Sequence, residues 1–242
     1  MENELKPAFY ALEVGTWRDY VTLLHPPYTI WHLSYVVLGA SVAPVMHLDR
    51  LAGMVLAFFL AVGLGAHALD ELRGRPLHTH ISDSVLLGIA AFSLIGALTI
   101  GIMAALIISL WAIPFVIFGV FAVIAYNLEL SNGRFHSDIW FGLAWGAFPA
   151  LTGYWANAER LDTTAILVAA SCLMLSLAQR ELSKHVRTIR RKAKVASGQV
   201  EFQDGHVETI TIPYLLAAPE TALRLMSYSI ALLAIGLLIA RL

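Results

Sequence analysis

Cysteine occurs once, as Cys172 within an apolar stretch, so the chain can build neither an internal disulfide nor a thiolate metal site. Charge is scarce too: Asp, Glu, Lys and Arg make up 14% of the residues, against about 25% in an ordinary soluble domain. A formal net charge of −1 gives no electrostatic argument for nucleic acid as a partner. No phosphate-binding glycine loop, Ser-His-Asp constellation, low-complexity tract or internal repeat stands out. The polar start Met1–Pro7 and the mixed segment Ala8–His25 lack an apolar core with a small-residue cleavage site, so the N-terminus is expected to be retained. What fills the chain instead is apolar. With 58% hydrophobic residues and a mean hydropathy of +0.71, it belongs in a bilayer.

Seven stretches approach the ~20 residues that cross a hydrocarbon core: about Tyr28–His47, Leu51–Asp70, Ser84–Gly101, Met103–Tyr126, Asp138–Asn157, Thr163–Ala178 and Glu220–Ala240. The expected fold is a single all-α polytopic transmembrane bundle over residues 1–242. Within the run from Ser84 to Tyr126, Gly96 and Gly101 read as places for a turn or for tight packing. Before the first stretch, Phe9, Tyr10, Leu12, Val14, Trp17, Tyr20, Val21 and Leu24 recur at near-helical intervals over residues 8–25. They suggest a helix lying in the interface plane, or an ordinary leading helix. Basic residues crowd alternate connections: Arg73 and Arg75, then Arg134, then the run Arg180 to Lys194. The positive-inside rule makes these connections cytoplasmic, placing the N-terminus inside and the C-terminus outside. The polar loop at about residues 180–212 is then cytoplasmic, and turn signals at Ser197-Gly198 and Asp204-Gly205 predict a small hairpin in it.

Ionisable groups stand where a lipid-solvated chain should avoid them: His32, His67 with Asp70 and Glu71, and Glu181 with His185. His67 to Asp70 is i,i+3, while His67 to Glu71 and Glu181 to His185 are i,i+4, so each set projects from one side of its helix. His67, Asp70, Glu181 and His185 are the leading metal-ligand candidates, with His32, Glu129 and His136 behind them. Imidazole with carboxylate favours Fe, Mn or Zn over Mg²⁺. Plainer readings stand beside these. His32 suits a hydrogen-bonded core histidine, Glu129 a solvated loop carboxylate, and His78 and His80 interfacial side chains. Ser137 or Asp138 suits a helix cap.

The order of elements resembles the UbiA superfamily of intramembrane prenyltransferases. The segment Leu24-His25-Pro26-Pro27 leading to Leu38-Gly39-Ala40 is similar to that family's opening helix. The acidic patch followed by Arg75-Pro76-Leu77-His78-Thr79-His80-Ile81-Ser82 is similar to the segment after its first aspartate motif. The stretch Tyr126 to Trp155, with Gly142, Gly146, Pro149 and Gly153, is similar to its mid-chain helix pair. The resemblance implies Mg²⁺ held by two aspartate motifs against the diphosphate of an isoprenoid donor. Of the first motif only Asp70 matches, and Glu181 and His185 stand where the second expects aspartates.

The resemblance implies a UbiA-like enzyme performing metal-dependent prenyl transfer to a lipophilic acceptor. Asp70, Glu71 and Glu181 would be its catalytic carboxylates, and Arg75, Lys184 and Arg187 would bind the diphosphate. The glycines and aromatics Phe141, Trp145, Phe148 and Tyr154 would frame a slot for the tail, or simply pack helices. The substitution of imidazole for carboxylate leaves a second expectation, a transition-metal lipid oxidoreductase, di-iron included, on the same fold. A third is a non-catalytic lipid- or metal-binding membrane subunit.

Overall fold

A computed structural model describes residues 5–242 of the chain. Most of it is helix: α1 (Thr16–Leu23), α2 (Pro26–Ser41), α3 (Leu48–Leu72), α4 (Asp83–Ile107), α5 (Ala112–Asn127), α6 (residues 138–158), α7 (Thr163–Lys192) and α8 (Ile212–Ile239). A hairpin of β1 (Gln199–Glu201) and antiparallel β2 (Val207–Thr209) separates α7 from α8, with Val200 opposite Glu208. Each of the seven apolar stretches therefore contains a helix. Four of these helices, α3, α4, α7 and α8, are long and apolar enough to cross a membrane.

Local chemistry sets the helix boundaries. Pro26 and Pro27 occupy the first turn of α2, where a missing N–H costs nothing. Asp162 caps α7 by accepting from the Thr164 and Ala165 amides at 3.0 and 3.2 Å, and Thr211 caps α8. The break between α4 and α5 falls at residues 108–111, so Gly96 and Gly101 lie inside α4 and serve packing, Gly101 against Val116 and Gly96 against Leu60. The leading helix is shorter than its periodicity suggests. Residues 9–10 form a turn instead, between the buried Ala8 and Ala11, while Trp17 and Tyr20 are exposed.

Small residues bring the helices together, and large ones face outward. In α4 the buried positions are Leu86, Ala90, Ser93 and Ala105, whereas Leu87, Phe92, Ile95, Leu106 and Ile107 are exposed. That inversion suits a lipid solvent, where packing rather than hydrophobic sorting joins helices. α2 lies between α6 and α8 and crosses α6 most closely at Gly39 and Gly153. α7 packs on α6 and α8, and α3 packs on α4 and α6.

Two helices widen into π turns, at Phe59–Ala66 in α3 and Gly142–Ala147 in α6. A wider turn frees a carbonyl from the i→i−4 ladder, and π turns cluster at functional sites. Here the Gly63 carbonyl meets His67 Nδ1 at 3.1 Å, and the Trp145 carbonyl meets His32 Nδ1 at 2.9 Å.

The bundle has two unlike ends. One gathers residues 41–47, 108–111, 158–162 and the C-terminus, tied by the His47 amide on Asn157, by Arg50 on Glu159, and by Arg241 on the Ala43 and Pro44 carbonyls. The other holds the polar chemistry.

Candidate functional site

At that second end the starts of α2 and α6 meet the ends of α3, α5 and α7 around a polar chamber of about 1080 Å³ of empty space. His25, Tyr28 and His32 come from α2 and its cap, and His67 and Asp70 from α3. Tyr126, Asn127 and His136 come from α5 and the loop after it, Phe141 and Trp145 from α6. α7 adds Gln179, Arg180, Ser183, Arg187 and Arg191, and Pro7 to Tyr10 form the remaining wall.

His25 is the most constrained of these residues. It stands at the N-cap of α2 in the left-handed region, at φ 46°, where non-glycine residues are few and asparagine, aspartate and histidine are the most frequent of them. Its ring lies flat on His67, with centroids 4.0 Å apart and planes 10° apart. Tyr10 Oη lies 2.9 Å from His25 Nδ1, while His25 Nε2 is buried with no hydrogen-bond partner among the described residues. Burial, then the neighbouring His67, Arg191 and Arg187, pushes the His25 pKa well below the usual range, so the ring is neutral at pH 7. Burial likewise raises that of the Tyr10 phenol. A histidine with a depressed folded pKa binds fewer protons than its unfolded counterpart, so it contributes stability above about pH 6.5 that is lost as the pH falls. His25→Asn tolerates the left-handed backbone and is expected to reduce the acid-side drop in melting temperature; an unchanged pH slope would contradict this.

The other chamber walls are aromatic and cationic. His136 stacks on Tyr126 at 4.3 Å, with its Nδ1 3.1 Å from the Tyr126 carbonyl. Tyr126 lies 4.8 Å from Trp145 between ring centroids. Arg180 donates to Tyr126 Oη and Asp138 and sits 4.9 Å over the Phe141 ring. Arg187 donates to Ser183 Oγ at 3.1 Å, and Arg191 to the Pro7 carbonyl at 3.5 Å. Neither makes an ion pair among the described residues, apart from the longer-range field of Asp70. Gln179 Oε1, on the same wall, is another buried polar atom without a partner among the described residues.

The structure brings together only part of the residue set expected from sequence. His32, His67, Asp70, His136 and Arg187 line the chamber. Glu181, His185 and Lys184 do not: they lie on the exposed side of α7, and Lys184 reaches only Asp138, at 3.9 Å. The i,i+4 spacing puts Glu181 and His185 on a common side, but α7 buries Gln179, Ser183, Val186 and Ile189 instead. Glu71 is fully buried and turned into the following loop, where its carboxylate accepts from the Leu77 amide at 3.0 Å, the Thr79 amide at 2.9 Å and Thr79 Oγ1 at 2.8 Å. Arg75 closes the same loop through the Thr79 and Ile81 carbonyls and Asp83. Glu129 pairs with Arg73 at 2.9 Å on the surface, and His78 and His80 are exposed. Ser137 caps α6, leaving Asp138 to pair with Arg180.

The residues that the spacing argument passed over are Tyr10, His25, Tyr28, Gln179, Arg180 and Arg191. Their signal was present in part: Arg180, Arg187 and Arg191 stand at i, i+7 and i+11, one stripe of a helix.

Among the described residues no three His, Cys, Asp or Glu side chains converge as a metal site. Among the described residues the chamber offers one carboxylate, Asp70, so they do not fit a magnesium cluster held by two carboxylate motifs. The set His67, Asp70, Glu181 and His185 is likewise not assembled for Fe, Mn or Zn.

Beyond Trp145 lies an apolar cavity of about 900 Å³ between α3, α4, α5 and α6, walled by Phe58, Phe115, Phe148 and Trp155. Trp145 lines both spaces. Tyr154 does not join this wall; its hydroxyl caps the far end through Asp162. No family model, curated protein or solved structure matches the chain.

Proposed function

We propose that the chain is a multi-pass membrane enzyme of UbiA type, transferring a prenyl group from an isoprenoid diphosphate to a lipophilic acceptor. The observation that carries this reading is the junction at Trp145 of an arginine-lined polar chamber with an aromatic-walled apolar cavity. Such a slot suits an amphiphile with an anionic head and a hydrocarbon tail, since apolar walls bury the tail while a few placed polar groups orient the head.

On this reading all seven long helices cross the bilayer, α2 and α5 as the short ones. The basic connections Arg73–Arg75, Arg134 and Arg180–Lys194 lie at the chamber end, which supports a cytoplasmic chamber with the N-terminus inside and the C-terminus outside.

Heterolysis of the donor C–O bond sends the electron pair to the diphosphate and leaves an allylic cation. The acceptor then bonds to that carbon and releases a proton. Arg180, Arg187 and Arg191 hold the leaving group through charge-assisted hydrogen bonds. The Tyr126, Phe141 and Trp145 faces stand where a carbocation needs shielding from water and gains from ring quadrupoles.

Purified protein supplied with farnesyl or geranylgeranyl diphosphate and membrane-extract acceptors is expected to release pyrophosphate and form a prenylated lipid. Ala61→Phe, which intrudes on the apolar cavity, should shift the preference toward the shorter donor. If no isoprenoid diphosphate is bound or turned over, the reading is wrong.

A further inference from the structure

We infer that the chamber binds its diphosphate through Arg180, Arg187, Arg191 and His25 directly, with arginine taking the place of a divalent cation; this rests on the prenyl-transfer reading above. Three features of the geometry lead here. First, carboxylates other than Asp70 that could hold a cation are elsewhere: Glu71 is consumed by the Leu77 and Thr79 amides, Glu181 is exposed, and Glu129 is paired with Arg73. Second, three guanidiniums line the chamber from a single stripe of α7. Each carries five donors, and among the described residues Arg187 and Arg191 use few of theirs, on Ser183 Oγ and the Pro7 carbonyl. A planar donor fork matches phosphate oxygens two at a time, which a magnesium ion would otherwise bridge.

Third, His25 Nε2 is buried in the chamber wall without a partner among the described residues. An unmade hydrogen bond at a buried nitrogen is costly, so the site awaits a group that supplies it. With Tyr10 Oη–H donating to Nδ1, the neutral ring presents Nε2–H to a phosphate oxygen. The left-handed backbone at His25 and the stack on His67 hold it there.

Asp70 gives the inference a sign that can be read. Among the described residues it is the only carboxylate lining the chamber, and it faces the fields of Arg187 and Arg191. If a cation mediated binding, Asp70 would be its ligand, and Asp70→Asn would weaken diphosphate binding. If arginine binds the anion directly, Asp70 repels it, and Asp70→Asn strengthens binding.

Isothermal titration of the full-length protein in mild detergent with sodium pyrophosphate, in EDTA and then in magnesium, decides between them. The expected result is binding in EDTA that magnesium does not improve. Asp70→Asn should bind several-fold more tightly. Arg187→Gln and Arg191→Gln should each lose about ten-fold or more, with Arg187→Lys intermediate because it keeps the charge and loses the fork. His25→Asn should lose less than either arginine variant.

Binding that requires magnesium and disappears in Asp70→Asn would overturn the inference and leave prenyl transfer standing. Absence of binding for both pyrophosphate and geranylgeranyl diphosphate, in both buffers, would overturn the two together. Should an arginine variant fail to elute as a single folded species, the sign of the Asp70→Asn effect still decides.

Discussion

Gly153→Ala is expected to destabilise the bundle by about 2 kcal/mol or more, and Gly153→Leu to prevent its assembly. A Cβ at position 153 would fall on the Val36 carbonyl in α2, and one at Gly39 on the Ala150 carbonyl in α6. Each glycine thus admits the other helix's backbone, not a flexible side chain, so neither contact can relax by a rotamer change. Both helices deliver chamber groups: α2 carries Tyr28 and His32, and α6 carries Phe141 and Trp145. Spreading them would therefore loosen the His32 contact to the Trp145 carbonyl as well as the packing. Gly88 provides the control, because it lies inside α4 with open space where its Cβ would be. Gly88→Ala should be neutral or stabilise slightly through helix propensity. Thermal unfolding in detergent, followed by tryptophan fluorescence and size exclusion, compares the two. A Gly153→Ala protein that melts like Gly88→Ala would show that the crossing tolerates separation.

Glu71→Ala should cost about 3 kcal/mol, chiefly by orphaning two buried amides and the Thr79 hydroxyl. The carboxylate accepts all three, and the loop they fix carries Pro76, part of the chamber wall, and Leu77, which packs on Ala8 and Ala11. Loss of Glu71 therefore frees the loop and, through Leu77, the N-terminal segment that carries Tyr10. Hydrogen exchange at the Leu77 and Thr79 amides is the direct reading, and both should lose most of their protection. Glu71→Gln should be milder, since its amide oxygen still accepts on one side while its NH₂ opposes a donor on the other. Unchanged exchange with abolished turnover would instead return Glu71 to the chemistry.

The expected result for Glu71 also shows where reasoning from spacing stops. His67, Asp70 and Glu71 were grouped because i,i+3 and i,i+4 residues share a helix side. His67 and Asp70 do line the chamber, but α3 ends immediately after Glu71, at Leu72, and the chain doubles back over its carboxylate. Glu181 and His185 fail for a different reason. Their spacing is helical, and α7 is a helix throughout, but periodicity gives relative directions and not the azimuth of the partner helices. Arg180, Arg187 and Arg191 share an equally regular stripe and received the inward side. Of the three, the sequence offered only Arg187 as a diphosphate ligand; Arg180 and Arg191 counted only toward the cytoplasmic side.

His25 had no sequence signal at all. Its placement depends on a left-handed turn before Pro26, on a stacking partner 42 positions further along at His67, and on Tyr10 folding back beneath α1.

Composition and hydropathy by themselves determined that this is a mainly helical chain, that each apolar stretch holds a helix, and that a polar hairpin follows α7; they did not set the helix ends, since α7 continues to Lys192 and α8 begins at Ile212. Those properties are local: they arise from each segment's own solvation and backbone preferences, and lipid-length apolar runs have few alternatives to helix. Tertiary structure decided which side of each helix faces inward, and with it which ionisable groups meet. It set Asp70 apart from the other carboxylates, turned the arginine stripe of α7 onto the histidines of α2 and α3, and joined the chamber to an apolar cavity at Trp145. Those choices follow from backbone approach at Gly39 and Gly153, a contact between segments more than a hundred residues apart that no local pattern encodes.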